Sequence, residues 1–161
     1  ALVNVDAAAL GDVGEEMLKD FVEHGGTVLY AGDLWAFDRG HVKGNALETL
    51  LPVLRPTGNT ALTLRRGDCT IYYCDANAAC GEALAADAVM LYADGAFTLK
   101  PGARKLLAGK DGTPVLVAWT RGQGRVIAVT GTALGEAPAG KTLFTLTPSW
   151  SNYLASLLKT P

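Results

Sequence analysis

The stretch from Gly32 to Asn45 gathers the residues best suited to chemistry: Gly32, Asp33, Trp35, Arg39 and His41. Asp33 and His41 make an acid–base pair if the loop brings them within hydrogen-bond reach. Trp35 offers a flat apolar face on which a sugar or another planar ligand can stack. Arg39 adds a permanent cation. A plainer reading stands beside this one: Trp35 and Phe37 pack the loop down, and Asp33 caps a turn. These five are the candidate ligand-binding residues. No catalytic or metal-ligating set is assigned, and no cofactor is expected.

The three cysteines, Cys69, Cys74 and Cys80, are an odd number in a chain of 161 residues, which is not the pattern of a disulfide scaffold. The close C-x2-C pairs of zinc sites are absent. Cys69 and Cys74 are five apart, so on one strand they point to opposite faces. Cys74 and Cys80 flank the short segment 75–79 and can bridge in an oxidising compartment. Separate thiols, and a metal or catalytic role, are the alternatives. Two motifs are set aside. Gly122-Gln123-Gly124-Arg125 lies between two strand-like runs, not between a strand and a helix, so the glycines serve a turn and not a phosphate. Arg66-Gly67-Asp68 reads as a hairpin turn between strands at 60–65 and 69–74.

The elements that position these residues follow from periodicity. Residues 1–5 read as a buried strand. Asp12, with Glu15 three residues on, resembles a capping box. Val13, Met17, Leu18, Phe21 and Val22 recur at helical spacing and are expected to form the apolar face, ended by Gly25-Gly26. Thr27–Ala31 reads as a second strand, parallel to the first through a right-handed crossover. A helical turn at 46–51 is ended by Pro52, 75–88 reads as part helix and part loop, 89–92 as a strand, and 103–108 as a short helix. Val115–Trp119 and Arg125–Thr130 are expected to form an antiparallel hairpin. A closing helix at 149–159 carries Trp150, Tyr153, Leu154, Leu157 and Leu158 on its apolar face.

Bulk composition narrows the classes. The hydrophobic fraction is 49%, charged residues make 19%, and the net charge is −2, which describes a folded domain and not a disordered chain. No basic cluster of the kind that meets nucleic acid is present. No apolar run approaches the roughly 18 residues of a membrane span. The chain begins at Ala1 in mid-pattern, so residues 1–161 are expected to be one domain excised from a longer protein.

In order and spacing, several motifs together resemble the class I glutamine amidotransferase-like superfamily, in particular its non-amidotransferase branch in multidomain bacterial proteins. They are Phe21-Val22-Glu23-His24-Gly25-Gly26 leading into Val28-Leu29-Tyr30-Ala31-Gly32; Leu47-Glu48-Thr49-Leu50-Leu51-Pro52-Val53; Lys100-Pro101-Gly102-Ala103 with Leu106-Leu107; Gly112-Thr113-Pro114-Val115-Leu116-Val117; and Gly122-Gln123-Gly124-Arg125-Val126. The resemblance covers roughly residues 2–55 and 98–159; residues 56–97 match no part of the family pattern. It implies a flavodoxin-like α/β fold: a three-layer α/β/α sandwich with a mostly parallel central sheet, to which the hairpin 115–119/125–130 and the closing helix are added. Catalytic members place a cysteine in a G-x-C-x-G elbow, where this chain has Ala31-Gly32-Asp33-Leu34-Trp35, and a late H-x-E motif, where it has Glu136 and no histidine after Thr130. The resemblance therefore implies the fold without the glutaminase reaction.

The expected function is a non-catalytic accessory domain for ligand binding or protein interaction in a larger bacterial protein. A carbohydrate connection enters by analogy, since related domains serve as trimerisation modules in some β-galactosidases. The expected partners are other domains of the parent protein or further copies of this chain, with a small molecule or sugar as ligand, and neither nucleic acid nor membrane. The alternatives are a hydrolase of another class using Asp33 and His41, and a purely structural or oligomerisation module. The compartment is left open.

Overall fold

The computed structural model describes residues 2–4, 11–31, 50–54, 65–74, 80–93, 98–130 and 136–159. The chain opens with β1 (Leu2–Asn4), α1 (Gly11–Glu23) and β2 (Thr27–Tyr30). The short β3 (Val53–Leu54) precedes the long β4 (Arg65–Cys74). Next come β5 (Cys80–Ala83), β6 (Ala88–Ala93) and β7 (Thr98–Leu99). Three consecutive strands, β8 (Arg104–Gly109), β9 (Pro114–Arg121) and β10 (Gly124–Val129), lead to β11 (Thr142–Leu143). A 3-10 turn (Phe144–Leu146) then joins α2 (Pro148–Lys159).

A nine-stranded sheet in the order β1-β2-β10-β9-β8-β4-β6-β11, with β5 also paired to β4, is the frame of the molecule. The β1–β2, β2–β10 and β6–β11 pairs are parallel. The β10–β9, β9–β8, β8–β4, β4–β6 and β4–β5 pairs are antiparallel. β3 and β7 form a separate two-stranded antiparallel pair. This corrects the expected flavodoxin-like sandwich. The parallel crossover through α1 is present, but the sheet is mixed and strand-rich, and α1 and α2 are the only α-helices among the described residues. The physical reason lies between residues 65 and 129. Short connections there join β8 to β9 and β9 to β10 and return the chain antiparallel, whereas parallel neighbours need a long crossover, and β4 adds to β8 antiparallel in its turn.

Three local expectations fall for the same reason. Residues 104–108 of the helix expected at 103–108, with the helix formers Arg104, Lys105, Leu106, Leu107 and Ala108, belong to strand β8, because pairing with β9 on one side and β4 on the other outweighs weak local propensity. Arg66-Gly67-Asp68 is not a turn: it lies inside β4, where the register against β6 shifts between Arg66 and Cys69 as at a β-bulge. The stretch expected as part helix contains strand β5 and the first residue of β6.

Period-2 alternation divides the core. Val28 and Val126 lie on one face of the sheet, with Leu18 and Val22 of α1 and Leu50 packed against them. Their neighbours Leu29 and Ile127 belong to the larger cluster on the other side, with Ile71, Leu107, Leu116, Phe144 and Trp150, joined by Tyr153, Leu154, Leu157 and Leu158 of α2. Each helix is tied down at its ends. α1 stops in a Schellman motif: Gly25 has φ +98°, its N–H donates to the Val22 carbonyl (3.0 Å), and the Gly26 N–H donates to the Phe21 carbonyl (2.8 Å). At the start of α2 the Thr147 hydroxyl accepts from the Trp150 N–H (3.2 Å), with Pro148 in the first helical position. Arg125 Nη2 donates to the Leu157 carbonyl (2.9 Å), satisfying one of the last-turn acceptors of α2 from the sheet.

Candidate functional site

The parallel trio β1, β2 and β10 aligns its carboxyl ends. Asn4 stands opposite Tyr30, and Tyr30 stands opposite Ala128. Beyond Ala128 the chain passes to Thr130, which is buried at 2% exposure and held by its N–H donating to the Val115 carbonyl (3.0 Å) and its hydroxyl donating to the Pro114 carbonyl. Crevices outside the carboxyl ends of parallel strands are the usual ligand positions of open sheets. Gly32 follows Ala31 directly in the chain, at the end of β2. Gly32, Asp33, Trp35, Arg39 and His41 themselves lie outside the described residues, as do residues 46–49 of the helical turn expected at 46–51. Among the described residues no group of three or more histidine, cysteine or acidic side chains could hold a metal ion.

Away from that edge, a cluster of titratable groups forms where β4, β5 and β8 meet α2. The Tyr73 ring meets the Tyr153 ring edge-on, with centroids 5.1 Å apart and an interplanar angle of 73°. Burial first, then Tyr73 and Cys74, push the Tyr153 hydroxyl above its ordinary range, while Arg104 opposes the shift. Burial and then Glu82 push Tyr73 up. Both phenols are therefore held in the neutral form across the physiological range. The described histidine, His24, sits at the end of α1 and not in this cluster.

Trp119 is expected from the sequence to be a core or interface residue. It is half-buried, with Lys100 Nζ 4.9 Å and Arg121 Cζ 5.6 Å from its ring centroid. Its indole N–H donates to the Pro101 carbonyl (3.1 Å), and Arg121 Nη2 lies 3.5 Å from Glu23 Oε1. The ring is thus occupied by the chain's own cations. Trp150, by contrast, is buried and packs edge-on against Phe144 at 5.0 Å.

The outer face of α1 departs from expectation. Leu18 and Val22 are buried, but Val13 is 75% exposed, Met17 68% and Phe21 41%. At i, i+4 and i+8 these three form a continuous apolar stripe turned away from the sheet. The apolar face expected from the spacing is two stripes, only one of which, Leu18 and Val22, is buried. The spacing Val13, Met17, Phe21 was the available signal for this surface.

No family model and no curated protein sequence matches the chain. Solved structures do. A cytoplasmic protein, STM3548, from Salmonella typhimurium is similar over 91% of this chain and 59% of its own length, at 16% identity and a TM-score of 0.65. The exo-β-1,4-mannosidase Op5Man5 from Opitutaceae bacterium strain TAV5 is similar over 100% of this chain and 26% of its own, at 17% identity and a TM-score of 0.58. Gan42B, a GH42 β-galactosidase from G. stearothermophilus, is similar over 98% and 21%, at 16% identity and a TM-score of 0.57. At such identities the likeness is one of fold. The chain spans less than two thirds of each of these proteins. No helix of the described residues is long and apolar enough to cross a membrane.

Proposed function

We propose that this chain is a non-catalytic accessory domain that serves ligand binding or protein interaction within a larger bacterial, carbohydrate-processing protein. The observation that carries this reading is one of proportion: a fold covering 98–100% of this chain occupies only 21–26% of a β-galactosidase and a mannosidase. A unit of that size beside a much longer remainder suits an accessory role. Two further features support it. The Val13–Met17–Phe21 stripe supplies an apolar contact face. The resemblance to the non-amidotransferase branch of the glutamine amidotransferase-like superfamily, without its cysteine elbow or H-x-E motif, agrees with an absence of catalysis.

The test pairs activity with binding. The purified chain is assayed on chromogenic β-galactosides, β-mannosides and glutamine, and its melting is followed with the corresponding sugars. The expected outcome is no turnover above background. A sugar bound at 100 times its Kd would add about 2.7 kcal/mol of stability, and Trp35→Ala is expected to abolish that shift. Turnover that disappears in Asp33→Asn and His41→Ala would overturn the accessory reading in favour of a hydrolase.

A further inference from the structure

We propose that Cys74 and Cys80 are a redox-active dithiol that closes the β4–β5 hairpin with a cross-strand disulfide under oxidising conditions. The backbone register carries the argument. Cys74, the last residue of β4, stands directly opposite Cys80, the first residue of β5, after a β-bulge-like shift of register between Tyr72 and Cys74. Directly opposed residues of antiparallel strands share a face and have Cα atoms about 4.5–5.5 Å apart. A disulfide needs a Cα separation of about 4.4–6.8 Å, a range that contains the spacing of directly opposed strand residues. Cys69 is excluded as the partner of either: it lies five residues back on β4, and its register partner is Met90 of β6.

The surroundings give the bridge a consequence. β5 pairs with β4 and with no other described strand, so the bridge staples a strand held along one edge. Cys74 is half-buried, and Tyr73, the residue before it, meets the Tyr153 ring of α2 edge-on. The bridge would therefore lie one residue from the contact between β4 and α2.

The oxidant is a low-molecular-weight disulfide such as oxidised glutathione. The thiolate of one cysteine attacks a sulfur of that disulfide, forming a mixed disulfide and releasing one small thiolate. The second cysteine, deprotonated, attacks the protein sulfur of the mixed disulfide and releases the second small thiolate. Two protein thiols and one disulfide become one protein disulfide and two small thiols. The two electrons lost by the protein reduce the oxidant, and the two thiol protons pass to the released thiolates.

The whole chain is equilibrated with excess oxidised glutathione or with dithiothreitol, as wild type and as Cys69→Ser. In both proteins the oxidised form is expected to lose two titratable thiols relative to the reduced form and to remain monomeric. Fragment mass spectrometry is expected to find Cys74 joined to Cys80. Oxidised Cys69→Ser should melt about 5 °C above its reduced form, from closure of a short loop, and Cys80→Ser should show no such difference. A bridge to Cys69, a protein that carries only glutathione adducts, or three thiols persisting in excess oxidant would overturn the assignment. The mapping in wild type decides the matter even if a variant folds poorly.

Discussion

Single residues in this chain are fixed by what lies against them. Gly124 opens β10 under the end of α1, and a β-carbon there would collide with the Val22 and Gly26 carbonyls. Those are backbone atoms and cannot swing aside, so Gly124→Ala is expected to cost about 2–4 kcal/mol in a denaturant titration. His24 behaves differently. Its Nδ1 lies 2.9 Å from the Asp20 carbonyl and 3.2 Å from Asp20 Oδ1. The hydrogen bond to the Asp20 carbonyl, then the Asp20 charge, with a smaller contribution from Glu23, raise its pKa above the ordinary 6.5. A raised folded-state pKa stabilises the fold below the unfolded value, and that stabilisation is lost as pH rises through the folded value. His24→Gln is therefore expected to lower the melting temperature slightly at about pH 5.5 and not at about pH 8.5. An NMR titration should find the His24 midpoint above 6.5. Neither effect was legible in the sequence. The Gly25-Gly26 stop was, because a Schellman motif is local and needs only a residue that accepts positive φ.

At the scale of elements, α1 shows where periodicity succeeds and where it stops. The spacing of Val13, Met17, Leu18, Phe21 and Val22 identifies a helix, and one spans Gly11–Glu23. It does not identify the face that is covered, because five apolar positions span an arc wider than one contact. The difference is measurable. Leu18→Ala is expected to cost about 2–4 kcal/mol, since Leu18 is buried against Val28 and Val126. Met17→Glu is expected to change stability by less than about 0.5 kcal/mol. If Met17→Glu proves as damaging as Leu18→Ala, the outer stripe is covered and cannot be a contact face. The strand β8 is the converse case. Its residues favour a helix locally, and only partners distant in the chain, β4 and β9, make it a strand.

For the whole molecule, the sheet order predicts how stability is distributed. β10 and β9 lie inside the sheet, β10 between β2 and β9 and β9 between β10 and β8, while β1 and β11 end the order. In native-state hydrogen exchange, amides of Val126–Ala128 should exchange slowest, and those of Leu2–Asn4 and Thr142–Leu143 fastest. Equal protection across the sheet would contradict this topology. The sequence by itself determined the elements whose signals are local: the helix α1 and its glycine stop, the strand after it, the tight turn at Gly122–Gln123 between two β-branched runs, and the closing helix with its Trp150 anchor. Only the tertiary structure decided that β4, β5, β6 and β8 join the sheet through antiparallel pairs, that Cys80 stands opposite Cys74 in register, and that three of the five apolar positions of α1 are left uncovered. Each of these depends on which distant segment lies alongside. Pairing partners and covering faces are set by contacts between residues far apart in the chain, and local periodicity contains no information about them.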